Sequence, residues 1–491
     1  MRTRPVAATV ALAVTVALGA SASAAPTSAE LVGHALTSSA AVDDLRELTD
    51  TIGGRVSGTP SLERAVDWAL ARFKAAGVDA VRAESYKAPR LWVAKKETAE
   101  ITGGGALRVA AMPFARGGSV EAEVADVWRG DAAAFAAAGP LAGRLVLVHT
   151  EPMRTIDDLF KEYLDTPPIL ERARKAGAAG VLYMSTRPGK LLYRHNATLD
   201  GGLSTLPAAV VERDGALRLA RLRAAGQRVR VKLATAADVP TNATLRNVVA
   251  EVRGRDKPDE IVIVGAHLDA WDLGRGALDN GCNVALVLDA ARQFAALAKR
   301  GERPRRTVRF ILYTGEEASM WGAWGDVRAH RAELDKVTAQ IVFDEGSGRT
   351  SGFSLGGRAD LEPAVEAALA PLAGLGPFTH TVDAFIGTDN YDYLIEGVPT
   401  LVANQDGPPY LPDYHSESDT FDKVDLRELR ANIAIATVVA WALADRAEPA
   451  APRQSRAQIE ALVKATGLDQ QMRTFGLWEP FASGARGRAL K

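Results

Sequence analysis

Ile261-Val-Ile-Val-Gly-Ala-His267-Leu-Asp-Ala-Trp-Asp-Leu-Gly-Arg-Gly-Ala-Leu-Asp279 is the stretch that decides how this chain folds. An unbroken apolar run that stops at a polar residue and a glycine-containing loop is the pattern of a strand buried on both faces. Similar runs recur from Val308 to Leu312, from Ile341 to Phe343 and from Thr400 to Val402, with helical stretches between them such as Val284 to Ala298 and Leu361 to Ala373. Alternation of this kind predicts an α/β fold with a mainly parallel central sheet flanked by helices. In such sheets ligands bind beyond the carboxyl ends of the strands. Here the first strand ends at His267-Leu-Asp269, the second at Glu316-Glu317 and the third at Asp344. Asp279 follows the short Gly274-Arg-Gly276 loop, and His415 lies in the loop from Pro412 to Asp419, past the fourth apolar run.

Each of these residues has an ordinary reading. A His-x-Asp is commonly a surface pair, a Glu-Glu a solvated turn, and Asp279 and Asp344 are placed to cap helices. Capping, however, needs neither a histidine nor an adjacent acid pair at the same sheet edge. The set fits two close divalent metals, because zinc accepts imidazole and carboxylate ligands and two ions about 3.5–4 Å apart can share a bridging carboxylate and a water. Such chemistry also needs a carboxylate that is not a ligand, as general base. Adjacent glutamates can divide these jobs. Asp269 is expected to hold His267 by its other ring nitrogen and fix its tautomer.

The stretch from His267 to Asp279 closely resembles the secreted dizinc exopeptidases of the carboxypeptidase Q type, a family related to bacterial leucyl aminopeptidase. Thr314-Gly-Glu-Glu317, the strand ending at Asp344, and Tyr414-His415 through Asp419-Thr420 are similar to that family in the same chain order. The resemblance covers nearly all of the chain after its first residues and implies the zinc exopeptidase fold. It implies that His267 and Asp344 bind one zinc, Glu317 and His415 a second, and that Asp279 bridges the two. It makes Glu316 the general base, with Asp269 beside it. The expected reaction is hydrolysis of dipeptides or short peptides, with an aminopeptidase as the alternative and a single-zinc glutaminyl cyclase as a more distant one. A non-catalytic binding protein on the same scaffold is disfavoured because every expected position is filled. A homodimer is implied by the resemblance alone. One departure is Asn280, where relatives often carry a second Asp.

Domain boundaries follow from texture. Arg2 and Arg4 precede an apolar run from Val6 to Ala20 and small residues from Ser21 to Ala25, so residues 1–24 read as a signal peptide and the protein as exported, extracellular or periplasmic. Residues 25–118 are expected to form the first part of the catalytic domain. Residues 119–239 show short β-like runs between Ala/Arg-rich helices and resemble the protease-associated domain inserted in secreted peptidases. The catalytic domain is expected to resume over 240–447, and 448–491 to form a tail with one helix, Ser455 to Thr466. Ala431 to Ala444 reads as a buried helix.

A net charge of −1 gives no field for nucleic acid or an anionic membrane. The expected partner is a short peptide, with no nucleic acid and no membrane. One cysteine, Cys282, excludes intrachain disulfides and cysteine-rich metal sites; it is expected to be a small buried residue. His149 and His195 read as structural or surface residues and His330 as solvent-facing, while His34 and His380 match no motif. Trp271, Trp321 and Trp324 default to core packing, and Tyr414 divides evenly between packing and lining the substrate site. Asn196-Ala-Thr and Asn242-Ala-Thr are glycosylation sequons.

Overall fold

The computed structural model describes residues 28–407 and 409–490, so the expected signal peptide lies outside the described residues. The main sheet has seven strands: β1 (Ala80–Arg90), β2 (Thr241–Val252), β3 (Lys257–His267), β4 (Arg306–Tyr313), β5 (Val337–Val342), β6 (Thr350–Ser354) and β7 (Thr400–Gln405). Their spatial order is β1-β2-β4-β3-β5-β7-β6. The four neighbours β4, β3, β5 and β7 are parallel, and the outer strands β1, β2 and β6 pair antiparallel. The expected parallel sheet is therefore the centre of a mixed one. Ala266 pairs with Leu312 and Gly265 with Val342, so β3, β4 and β5 end level with one another. That register brings His267, Glu316, Glu317 and Asp344 to one edge.

Helix α1 (Pro60–Ala76) starts with proline in its first turn and stops at Gly77, which takes the left-handed conformation the chain needs to turn there. It packs directly on β1 and β2, beside α3 (Cys282–Lys299), which in turn packs beside α5 (Leu426–Asp445). Phe294 of α3 meets Phe310 of β4 and Trp441 of α5, and the stretch Ala431 to Ala444 is the buried helix its apolarity predicts. The other face carries α4 (Trp321–Ala329).

A second sheet has eight strands, all drawn from residues 93–238. It takes Val93–Ile101, Gly105–Leu107 and Val109–Ala111 from before residue 119, so the second unit begins earlier than its texture suggests. The reason is that Val93–Ile101 is a half-solvated strand carrying Lys95, Lys96 and Glu97, and its partner Arg230–Asp238 is far away in sequence. The long helix of this unit, α2 (Ile156–Lys175), begins with a capping box between Thr155 and Asp158. At the C-terminus the expected helix spans Arg456–Ala465, and two further short helices follow, α6 (Leu468–Thr474) and Trp478–Ala482. These are too short to show a period, being separated only by Gly467 and Gly476. Among the described residues, no helix is long and apolar enough to cross a membrane.

Candidate active site

His267 closes β3, Glu316 and Glu317 lie in the loop after β4, and Asp344 follows β5. Asp279 sits in the turn Ala277–Gly281 that leads into α3, and His415 lies in a loop with φ 56°. Glycine is required in the loop before Asp279. A Cβ on Gly274 would fall 2.4 Å from the Ser416 carbonyl oxygen, and one on Gly276 (φ 62°) would fall 2.3 Å from Cβ of Ala270. The result is two clusters that share one residue: His267, Asp279 and Asp344, and Asp279, Glu317 and His415. His267 Nε2 lies 3.1 Å from Asp279 Oδ1 and 2.9 Å from Asp344 Oδ1. His415 Nε2 lies 3.1 Å from Asp279 Oδ2 and 2.9 Å from Glu317 Oε2. The two oxygens of Asp279 thus face different imidazoles.

Both imidazoles are held from behind by backbone carbonyls. Nδ1 of His267 is 3.0 Å from the Asp269 carbonyl oxygen, and Nδ1 of His415 is 3.1 Å from that of Arg194. Each Nε2 is therefore turned toward the carboxylates, the tautomer a metal ligand needs. This corrects the expectation for Asp269: its carboxylate stands 3.8 Å from His267 Nδ1. It accepts instead from the Ser57 hydroxyl at 2.8 Å and the Glu316 N–H at 3.2 Å, which places it as a brace for the Glu316 loop.

Other supports were invisible in the sequence. The guanidinium of Arg55, fully buried, donates to the carbonyls of Leu268, Gly53, Arg275 and Gly276 at 2.7–3.1 Å. Asp419 accepts from the N–H groups of Ala277, Leu278 and Asp279 at 2.9, 2.6 and 3.2 Å. The two clamp the segment from His267 to Asp279 from opposite sides. The Gly53-Gly54 that precede Arg55 signal a loop, but nothing local says that its arginine is buried. Asn280 donates to the Phe343 carbonyl at 2.9 Å and accepts from Asn283 at 2.7 Å, so its side chain supports the turn and does not face the imidazoles. Cys282 is buried, with its thiol directed to the Leu278 carbonyl, as expected.

The second unit also reaches the site. Arg194, whose carbonyl receives His415, is itself held by Asp272 with two bonds of 2.9 Å and by Glu97. Asn196 is buried and donates to the Glu317 carbonyl at 3.0 Å, so this sequon is a support of the site and no accessible glycosylation position in the folded chain. His195 is enclosed by Tyr163, Tyr183 and Tyr193, and burial pushes it down to about 3, leaving it neutral and structural. Tyr414 stacks on His415 with centroids 3.7 Å apart, and its hydroxyl meets that of Tyr163 at 2.8 Å. Trp271 packs edge-on to His415. Trp321 and Trp324 pack against each other and do not line the cavity. His330 departs from its reading: it is largely buried and paired with Glu84 at 2.7 Å.

The electrostatics of the cluster demand a cation. Burial pushes Glu316 and Asp389 well above the usual carboxylate range, opposed by His267, and pushes Glu317 up to about 7 against the pull of His415. Burial raises Asp344 as well. Only in Asp279 do hydrogen bonds from His267 and His415 outweigh burial and hold the carboxyl low. Burial opposes charge on His415 too, yet Glu317 drives it up to about 10. Asp279 Oδ2 meets only the His415 imidazole, Glu317 Oε1 has no hydrogen-bond partner, and no Lys or Arg is among the described residues lining the cavity in front of them. Buried carboxylates that outnumber the imidazoles facing them, with no lysine or arginine among the described lining residues, are satisfied by a metal. The donor set of imidazole nitrogen and carboxylate oxygen fits that role.

In front of the cluster lies a cavity of about 100 Å³. Glu316 lines it beside Thr388, Glu345 and Tyr414, and its far side is apolar.

Residues 247–440 match the model of peptidase family M28. The protein is a metallopeptidase carrying a family M28 domain. It is 27% identical to carboxypeptidase Q of Bos taurus over 411 residues, 82% of this chain and 84% of that protein. Its structure is similar to that of a peptidase M28 precursor from Shewanella amazonensis SB2B, with a TM-score of 0.77 and 27% identity, over 87% of this chain and 98% of that one. An aminopeptidase from Aneurinibacillus sp. strain AM-1 shares the fold, with a TM-score of 0.61 and 22% identity over 86% and 98% of the two chains. The family resemblance read from His267 to Asp279 is thereby borne out. The M28 match spans every residue of the two clusters that share Asp279. It excludes Arg55, the 194–196 segment and the C-terminal helices.

Proposed function

We propose that the M28 metallopeptidase is an exopeptidase for short peptides, with a centre of two divalent ions for which the donors suit zinc. His267 and Asp344 would hold one ion, Glu317 and His415 the other, and Asp279 would bridge them. The observation that carries this reading is Asp279, whose two oxygens each lie 3.1 Å from a different imidazole. A one-ion site, as a glutaminyl cyclase would need, leaves one of these imidazoles and its carboxylate without a purpose. When bound, a pair of such ions acidifies a water molecule and polarises the scissile carbonyl.

The chain supplies the proton transfer. Glu316 lines the cavity but belongs to neither ligand cluster. Its carboxylate takes a proton from the attacking water and passes it to the departing amine, and burial raises its proton affinity in the direction a base requires. Asp269 and Ser57 fix the Glu316 backbone. Tyr414 holds the His415 ring by stacking.

The lining of the cavity favours a substrate with a free amino terminus. The clustered acids are taken up by the two ions in this reading, Glu345 is left to accept from a terminal ammonium, and no lysine or arginine is among the described lining residues to hold a terminal carboxylate. We therefore place N-terminal cleavage ahead of C-terminal cleavage, the reverse of the order suggested by resemblance to carboxypeptidase Q. Short peptides with free or blocked ends, followed by mass spectrometry, test this. Blocking the N-terminus should abolish cleavage and amidating the C-terminus should not; cleavage of N-acetylated peptides would overturn it. In this reading the second unit, residues 93–238, is the protease-associated-like insertion, and export rests on residues 1–24.

A further inference from the structure

The second unit has a cavity of its own. In its sheet the strands Gly118–Asp126, Leu145–Val148, Gly180–Met184 and Ala208–Val211 lie side by side and parallel. Open α/β sheets bind ligands beyond the carboxyl ends of such strands. There α2 and the loops after the first three strands enclose about 410 Å³, within the roughly 300–1,000 Å³ of sites for whole small molecules. Among the described residues, none lines both this cavity and the one in front of the Asp279 cluster: Leu159, Phe160 and Tyr163 of α2 line the latter, Glu162, Asp165 and Arg172 the former.

Most charges around the second cavity are already spent. Arg129 pairs with Glu151, and Lys161 with Asp165. Asp126 holds His149 at 2.9 Å, Asp131 accepts from the Ala134 N–H at 2.8 Å, and Asp158 belongs to the capping box. Two groups are left over. Glu162 is only 6% exposed; the Tyr193 hydroxyl donates to its Oε1, and its Oε2 has no hydrogen-bond partner. Arg172 donates to the Gly130 carbonyl at 3.0 Å, and among the described residues no carboxylate pairs with its guanidinium. A buried carboxylate oxygen without a donor is costly unless a ligand supplies one.

We propose that this cavity is a second binding site, for a short zwitterion: an α-amino acid, free or as a peptide of two or three residues, with its ammonium on Glu162 Oε2 and its carboxylate on Arg172. The site is separate from the catalytic cluster and does not depend on the exopeptidase reading. Complementarity supports it. A simple anion leaves Glu162 unmet and a simple cation leaves Arg172 unmet, whereas a zwitterion meets both. Spacing supports it too. Glu162 and Arg172 lie on the same helix, α2, with roughly 15 Å of axis between their attachment points. The reach of the two side chains shortens that gap to the ammonium-to-carboxylate span of such a ligand, at about 3.5 Å per residue. The ligand's side chain meets an apolar wall, in which Val148, Ile169 and Tyr183 are buried and Pro152 and Pro168 complete the lining.

The test is hydrogen-exchange mass spectrometry of the metal-loaded protein titrated with L-leucine. Residues 129–131 and 148–153 line this cavity and not the catalytic one, so slower exchange there reports this site. Leucine should slow it, with an affinity at least about tenfold above that of 3-methylbutylamine, which lacks the carboxylate, and of 4-methylpentanoate, which lacks the ammonium. Glu162→Gln and Arg172→Met should each weaken leucine at least about tenfold. Arg172 is half-buried, so its variant carries the test if Glu162→Gln does not fold. The tripeptide Leu-Gly-Gly, followed in Glu316→Gln, fixes the source: an affinity above that of leucine names an intact peptide as the occupant, one below it a released amino acid. No slowing with leucine, equal slowing by either analogue, or an effect of leucine unchanged in both variants overturns the site.

Discussion

Among the described residues, two places gather a histidine and carboxylates within reach of one ion: the edge cluster around Asp279, and Glu84, Asp326 and His330 at the far end of α4. They differ in what neutralises the acids. At the second place Arg82 holds Glu84 at 2.5 Å, and Arg309 bonds Glu251 at 2.7 Å and Glu333 at 3.2 Å. The Tyr393 hydroxyl donates to Asp326. His330 completes the balance as an imidazolium: its hydrogen bond to Glu84 outweighs burial and pushes it up to about 9. Burial alone would raise Glu84, but His330 and Arg82 bring it down to about 2. At the Asp279 cluster no lysine or arginine is among the described residues lining the cavity. Similar residue types thus make an ion-pair network in one place and call for an external cation in the other. What separates them is the arginines.

The contrast can be broken or sharpened by substitution. The largest effect is expected from Glu316→Gln, which removes the base without touching either ligand cluster. It should lower kcat on the order of 10³-fold, while metal content by atomic emission stays that of the unmodified protein; near-normal turnover would remove Glu316 from the mechanism. Next comes Arg55→Met, which leaves four carbonyls around the His267–Asp279 loop without their donor. We expect metal affinity to fall roughly 10–100-fold, as when other groups that orient ligands are lost, measured by competition with a chromophoric chelator.

The smallest effect belongs to the second cluster. His330→Gln should leave metal content and kcat unchanged and cost about 1 kcal/mol of stability, the scale of a partly solvated ion pair. The sign with pH follows from linkage. The folded-state value of His330 lies above its ordinary 6.5, so its contribution is full below 6.5 and is lost as pH rises through about 9. Glu84 lies below its ordinary 4.5, so its contribution is full above that value and is lost as pH falls toward about 2. Urea denaturation should therefore separate His330→Gln from the unmodified protein at pH 6 and not at pH 10. Equal separation at both would show that the ion pair is not the cause.

How much of this was legible beforehand depended on whether the signal was local. β3, β4 and β5 are apolar throughout, and parallel register alone carries their terminal residues to one edge, so His267, Glu316, Glu317 and Asp344 could be grouped from sequence. Asp279 and His415 joined them through the family pattern. Groups that act from a distance were not legible. Arg55 reaches a loop more than 200 residues away, and Arg194 supports His415 across 221 residues. The strand Val93–Ile101 pairs with Arg230–Asp238, so the start of the second unit was set too late. The orienting role given to the Asp269 carboxylate belongs to its backbone carbonyl, a distinction a residue pattern does not carry.

The central claim is that Asp279 serves two ions at once. It is tested most directly by the zinc content of protein loaded with excess zinc and freed of unbound metal, for the unmodified chain and Asp279→Asn. The account predicts two zinc ions per chain in the first and fewer than one in the second. A single ion in the unmodified protein, or two retained in Asp279→Asn, would contradict it.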